Sequence, residues 1–181
     1  MDYRSKIILI YDPTASGKSD FAIKLARKIN GEIINSDSMQ VYKELKILTA
    51  RPFKKDLQKV KHHLYGFKKC NKEFSTGEWL KIAVKKIKEI KKRKKIPILV
   101  GGTGLYFKSL TDGLIEIPLI PLKMRNKIRH MQKTMGQKKF YEKLSKLDPL
   151  IINHINSTDA QRSIRAYEVK LFTKKIYFRL V

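Results

Sequence analysis

The sequence predicts an α/β fold: a parallel sheet flanked by helices, with a helical segment after it. Three observations carry that reading. Short β-branched apolar runs alternate with stretches of helical period, a loop ending in Gly17 joins the first run to the first helix, and the pattern changes to helix beyond Gly113.

Lys6 to Tyr11 is a β-branched apolar run, the mark of a strand buried in a parallel sheet. Asp12-Pro13-Thr14-Ala15-Ser16-Gly17-Lys18-Ser19 follows it and reads as a phosphate loop, G-x-x-x-x-G-K-[ST], with Asp12 at the first glycine. Backbone N–H groups of such a loop cradle phosphate oxygens, the lysine neutralises their charge, and the hydroxyl, here Ser19, is a ligand for Mg²⁺. Losing the first glycine predicts strain in the turn, and a carboxylate there repels a diphosphate. In the next helix Phe21, Ala22, Leu25, Ala26 and Ile29 share one face, and Gly31 stops it.

Glu32-Ile33-Ile34-Asn35-Ser36 is a second strand ending at Asp37. Leu80, Ala83, Val84, Ile87 and Ile90 mark another amphipathic helix, with Lys81, Lys85, Lys86, Lys88, Lys91 and Lys92 opposite. The lysine tract from Lys85 to Lys95 could track phosphates, but a solvated flank is the commoner meaning. Pro97-Ile98-Leu99-Val100 is a third strand, closed by Gly101-Gly102. Ligand is expected at the carboxyl ends of these strands. Trp79, Tyr106 and Phe107 read as core, and His62-His63 as packing, since no Cys partners complete a metal site. Ile117-Pro118-Leu119-Ile120-Pro121 reads as a linker. At Phe178-Arg179-Leu180-Val181 the chain reads as cut inside a second domain.

Composition limits the partners. The chain of 181 residues carries 41 Lys+Arg against 16 Asp+Glu, a net charge of +25 that attracts polyanions, nucleic acid first. The Lys, Ile and Asn usage of an AT-rich genome produces the same excess, so charge alone does not establish RNA binding. One cysteine, Cys70, excludes an internal disulfide and suits a reducing cytoplasm. No apolar run is long enough to span a bilayer. Ile7 to Tyr11 is too short for a signal peptide.

Hydrolytic phosphate-loop enzymes need a second acidic residue for Mg²⁺ and a positioned water. The Val100 strand instead ends in Gly101-Gly102-Thr103, and the well-placed carboxylate is Asp37. That pattern favours group transfer to a bound acceptor, with Asp37 as base, over nucleotide hydrolysis.

Several motifs in order resemble the tRNA dimethylallyltransferases of the IPP transferase family. They are Pro13 to Ser19, Ser36-Asp37-Ser38-Met39-Gln40-Val41-Tyr42-Lys43, Thr49-Ala50-Arg51-Pro52, His62-His63-Leu64, Gly101-Gly102-Thr103-Gly104-Leu105-Tyr106, Asp112-Gly113-Leu114 and Gln161-Arg162-x-x-Arg165-Ala166-x-Glu168-Val169. The resemblance implies a P-loop NTPase-like sheet over residues 1–114 and a partial helical insertion domain that contacts tRNA over residues 115–181. It implies transfer of a dimethylallyl group from dimethylallyl diphosphate to N6 of an adenine in the tRNA anticodon loop. The Asp12 to Ser19 loop would hold the diphosphate, with Lys18 stabilising the leaving group and Mg²⁺ at Ser19. Asp37 would be the general base and Thr103 would contact the reacting centre. Asp37, Ser38, Met39 and Gln40 would hold the target base, and Arg125, Gln161, Arg162, Ser163, Ile164 and Arg165 would contact tRNA. A cytoplasmic monomer is implied, or a chain that pairs with a separately encoded C-terminal part.

The chain departs from the family at Asp12, at Leu48 and Ala160, where glycine and proline are usual, at Lys174-Lys175, and in lacking the later part of the catalytic domain. Two other functions therefore stay open, an inactive RNA-binding remnant and a phosphate-loop small-molecule kinase. At single residues, Asp37 as a cap, Thr103 as a turn former, and Arg162 and Arg165 as partners of Glu168 are the structural alternatives.

Overall fold

Ile8–Tyr11 (β1), Gly31–Asn35 (β2), His62–His63 (β3) and Ile96–Gly101 (β4) form a parallel sheet in the order β1-β4-β2-β3. The computed structural model describes residues 6–114, 117 and 119–174. The chain divides into two compact units, Met1–Leu114 and Ile115–Val181. The first carries the sheet with helices Lys18–Ile29 (α1), Lys54–Lys59 (α2), Thr76–Lys92 (α3) and Gly104–Thr111 (α4). The second is helical among its described residues, with Leu122–Met135 (α5), Gln137–Leu147 (α6), a 3-10 turn at Pro149–Asn153 and Ala160–Thr173 (α7).

Central strands β2 and β4 are buried along their whole length, β4 as a near-continuous apolar run and β2 with the polar Glu32 and Asn35 on either side of Ile33-Ile34. The two faces of the sheet carry separate cores. Ala22, Ile23 and Ala26 of α1 pack with Ile33, Ile98 and Val100 on one face. On the other, Trp79, Ala83, Ile87 and Ile90 of α3 and Tyr106 and Phe107 of α4 pack on Ile34 and Leu99. Trp79 stacks on Tyr106 at 4.2 Å between ring centroids, and its indole N–H donates to the Asn35 carbonyl at 3.0 Å. A capping box starts α3: Ser75 and Glu78 each accept from the other's backbone N–H. Lys81, Lys85, Lys88 and Lys92 are exposed on its outer side.

The phase of α1 differs from the expectation. Ile23 faces the sheet and Phe21 is 59% exposed, because the small Ala22 and Ala26 set the line of closest approach. Nor does Gly31 end this helix. Asn30, at φ 55°, caps it by donating to the Ala26 carbonyl, while Gly31 opens β2. There a Cβ would stand 2.7 Å from Ile98 Cδ1, so the glycine serves strand packing.

The two histidines expected to serve packing form strand β3, paired beside Ile33 and Ile34. Its His63 Nε2 lies 2.6 Å from the Glu32 carboxylate, which is buried and also bonded by Arg93 at 2.7 Å. Burial opposes ionisation of Glu32, but the Arg93 and His63 hydrogen bonds outweigh it and hold the pKa at about 2. Burial holds His63 below its ordinary range, with Lys86 and Lys61 adding to the effect and Glu32 opposing it. At neutral pH the imidazole is therefore a neutral donor, and the ionic partners of Glu32 are Arg93 and Lys95.

The second unit has its own core of Ile128, Phe140, Leu144, Ile151, Ile155, Ala166 and Tyr167. Part of the expected linker, including Pro118, lies outside the described residues, as do Lys175 and the terminal Phe178 to Val181.

Candidate active site

The chain leaves β1 at its carboxyl end and wraps the start of α1. Gly17, at φ 81°, is the N-cap, and no side chain caps the first turn. The first-turn N–H groups are thereby left to an anion at the positive end of the helix. Asp12 is exposed and keeps a φ that any residue adopts; the left-handed positions of the loop are Ala15 at 67° and Gly17. The strain expected at Asp12 is thus absent, and Ala15 carries it instead, at about 1–2 kcal/mol. Asp12 lines, with Lys18 and Phe21, a depression bordering the loop. Lys18 Nζ folds back to donate to the Pro13 carbonyl at 2.7 Å.

A cavity of about 530 Å³ opens between this loop and the carboxyl ends of β2 and β4. Thr14, Lys18, Ser19, Asp20, Asp37 and Gln40 give it a polar side. Met39, Leu45, Leu48, Ala50, Tyr65 and Val100 give it an apolar wall. Leu48 is among the exposed side chains of that wall, at a position where the family usually has glycine. Such a cavity suits a ligand with a charged end and a hydrocarbon end.

Asp37 stands two residues beyond β2 and is half-buried. Its Oδ1 accepts from the N–H groups of Met39 at 2.8 Å and Gln40 at 3.3 Å, closing a local turn rather than capping a helix. Oδ2 accepts no hydrogen bond among the described residues, so one oxygen is held and the other is available. Burial and the Asp37 charge push the Tyr65 phenol well above its ordinary range, which keeps it neutral on the cavity wall.

Thr103, expected to contact the reacting centre, meets the turn that follows Asp37. Its Oγ1 accepts from Ser38 N–H at 2.9 Å and donates to Ser38 Oγ at 3.3 Å, and neither residue lines the cavity. The hydroxyl shapes the turn because Ser38 N–H has no strand to bond. Met39 is exposed at the rim, and Gln40 Nε2 donates to the Thr49 carbonyl, fixing the wall that Thr49 and Ala50 form.

Ser19 was the expected Mg²⁺ ligand. Ser19, Asp20 and Asp37 present oxygen donors on the same cavity, the chemistry a hard cation takes. No cluster of three His, Cys, Asp or Glu among the described residues could hold a metal by itself. The donor set therefore fits a cation that shares ligands with a phosphate and water.

In the second unit α7 begins at the N-cap Asp159, whose carboxylate accepts from Arg162 N–H at 2.9 Å and pairs with the Arg162 side chain at 3.5 Å. Gln161 and Arg162 are exposed. Ser163 is fully buried: its hydroxyl donates to the Asp159 carbonyl and accepts from Gln137, which removes it from RNA contact. Ile164 packs against the helical core. Arg165 bonds Glu168 at 3.2 Å, and Arg125 approaches the same carboxylate at 3.8 Å. Glu168 is 2% exposed, so it needs these guanidinium groups, which takes both arginines into a structural cluster.

Sequence reasoning did not single out Asn35, Leu45 or Tyr65 for the site. Only Asn35 left a signal, as a polar residue in an apolar strand two positions before the acid.

A family model described as IPP transferase matches residues 40–180. A tRNA dimethylallyltransferase of Pelagibacter ubique (strain HTCC1062) is 66% identical over 173 residues, covering 96% of this chain and 55% of the relative. One of Rickettsia massiliae (strain Mtu5) is 49% identical, covering 97% and 48%. The chain thus spans about half the length of the curated relatives it matches. Among solved structures, a eukaryotic dimethylallyltransferase acting on tRNA superposes with a TM-score of 0.80 at 32% identity, over 94% of this chain and 42% of that one. The full-length tRNA isopentenylpyrophosphate transferase of Bacillus halodurans gives 0.60 at 35%, over 93% and 56%. With the match running from the Gln40 turn through α7, the chain belongs to the IPP transferase family.

Proposed function

We propose that this chain carries the site for transferring a dimethylallyl group from dimethylallyl diphosphate to N6 of the adenine beside the anticodon of tRNA. One observation carries the reading. One cavity is lined by the phosphate loop, by Asp37 with one carboxylate oxygen available, and by a set of apolar side chains.

The adenine amine is a weak nucleophile, because its lone pair is delocalised into the ring. The allylic carbon compensates, since it bears positive charge as the C–O bond to the diphosphate breaks. Bond formation from N6 and departure of diphosphate leave one extra proton on nitrogen, which Asp37 Oδ2 accepts. Lys18 swings from the Pro13 carbonyl to the departing oxygens, and the first-turn amides of α1 receive the same charge. Mg²⁺ at Ser19, with Asp20 or Asp37 near, would neutralise the leaving diphosphate further. Leu45 and Tyr65, the half-buried groups of the wall, keep water from the allylic carbon, which would otherwise capture it. The adenine leaves its stack to reach the cavity, against Met39 and Gln40. Gln161 and Arg162, the exposed members of their motif, contact the RNA backbone. The reaction takes place in the cytoplasm, where the tRNA is. No helix among the described residues is long and apolar enough to cross a membrane.

The test is transfer of labelled dimethylallyl groups to unmodified tRNA in Mg²⁺. Asp37→Asn lowers the rate by about 10²–10⁴-fold and leaves RNA affinity unchanged. Transfer at the parental rate in Asp37→Asn would remove the general-base role.

A further inference from the structure

Behind Asp37 lies a fully buried side chain, Asn35, on the last position of β2. Its amide spans the base residue: Oδ1 accepts from Asp37 N–H at 3.0 Å while Nδ2 donates to the Asp37 carbonyl at 3.0 Å. Nδ2 also donates to the Leu64 carbonyl at 3.1 Å, where the chain turns in left-handed geometry at φ 63°. Two carbonyls and one N–H surround the amide, so only this orientation satisfies all three, and a flipped one would oppose all three. The Asn35 carbonyl is itself fixed by Trp79.

The rest of the loop needs this anchor. Ser36 N–H is taken by Val100, Ser38 N–H by Thr103, and Met39 and Gln40 N–H by Asp37 itself. Among the described residues, only Asn35 joins Asp37's own peptide groups to the body of the fold. The remaining ties reach its neighbours or start from its carboxylate. A buried amide with every donor and acceptor used costs little and specifies one geometry, whereas a partly satisfied one is costly. Chain continuation into Ser36 needs none of this, and an aliphatic residue would fill the same strand position.

We propose that Asn35 is a positioning residue for proton removal, clasping the Asp37 backbone so that Oδ2 faces the acceptor amine. The proposal rests on the prenyl-transfer reading above. Asn35 touches neither substrate and acts only through Asp37.

The test is a double-mutant cycle on the full chain. Asn35→Asp keeps the shape but removes both donors and adds a like charge beside the base. It lowers kcat by roughly 10–100-fold with both KM values within about twofold, and moves the acid limb of the pH–rate profile upward. Trp79 emission stays at the parental wavelength. In an Asp37→Asn background the same change lowers the residual rate no further. An equal fall in both backgrounds, or a rise in KM with kcat unchanged, would overturn the proposal.

Hydrogen exchange tests the clasp independently of turnover. Asn35→Ala speeds exchange at Asp37, Met39 and Gln40 by about tenfold or more relative to Ile33 and Ile34. Equal exchange in parent and variant would show that the loop holds itself, and would overturn the proposal. If the parent transfers no prenyl group but the exchange difference appears, the reaction assignment fails while the clasp stands.

Discussion

Replacing Gly101 by alanine drives a methyl group into the backbone that carries Asp37. A Cβ there would lie 2.2 Å from both the carbon and the oxygen of the Ser36 carbonyl, and 2.7 Å from Asp37 N. Real Cβ contacts essentially never fall below 3.0 Å, so the strands must part by at least 0.8 Å (from 2.2 to 3.0 Å). The obstacle is backbone, which has no rotamer to change. Parting them stretches the Ser36 N–H bond to Val100, now 2.8 Å, and the Thr103 N–H bond to Ser36, now 3.3 Å. Overpacking and weakened hydrogen bonds together cost about 2–4 kcal/mol. Urea unfolding followed by emission of Trp79, the single tryptophan, measures this directly. Melting temperature should fall by roughly 5–15 °C. Transfer by the protein that remains folded should fall by about 10²-fold, because the base is displaced by nearly 1 Å. Gly102→Ala is the control: its Cβ would meet Asp12 O at 3.6 Å, an ordinary contact, and should cost less than about 0.5 kcal/mol. If Gly101→Ala matched Gly102→Ala in stability and rate, the tight crossing of β4 beneath the Asp37 loop would be refuted.

Acid sensitivity should follow from Glu32. Its folded value of about 2 lies below 4.5, so its stabilisation is full above pH 4.5 and disappears as pH falls toward 2; at most about 3 kcal/mol is lost. Urea titrations across that window should show this slope in the parent and not in Glu32→Gln. Asp12→Gly should tighten inorganic pyrophosphate binding about fivefold at low salt, with the gain vanishing near molar salt; calorimetry that finds no gain removes the expected repulsion. The two α7 arginines should separate: Arg165→Ala destabilises the second unit by about 1–3 kcal/mol by uncovering Glu168, whereas Arg162→Ala leaves melting unchanged and reduces the salt slope of tRNA binding by about one. The reverse pattern would exchange their roles.

The phosphate loop was legible because its chemistry is local. Gly17, Lys18 and Ser19 sit where a strand hands over to a helix, and the loop geometry follows from that handover. Asp37 was legible in the same way, as the acid at the end of a buried strand. Strands β2 and β4 and helices α1 and α3 announce themselves through their apolar period. Strand β3 did not, being two histidines paired at the sheet edge by a neighbour distant in sequence. Helix α2, with no buried residue, left no apolar stripe to read.

The roles of single polar side chains divide differently. Arg125, Arg162, Ser163 and Arg165 are alike in sequence as polar candidates for RNA, and burial separates them. A buried Glu168 takes two of the arginines, Ser163 turns inward, and Arg162 stays at the surface. Thr103 shows the same dependence: its hydroxyl meets the Asp37 loop because β4 lies beside β2, an adjacency between segments 65 residues apart, and the Asn35 amide, though local to Asp37, is oriented by the distant Leu64 carbonyl. The sequence by itself therefore determined the fold class and the family, and singled out the Gly17-Lys18-Ser19 loop and Asp37 as candidates, because each is written in contiguous residues or in a period. Only the tertiary structure decided which oxygen of Asp37 is available, what holds that residue in place, and which basic groups are already engaged. Hydrogen-bond partners and buried charges are settled by packing between distant segments, and no local pattern encodes them.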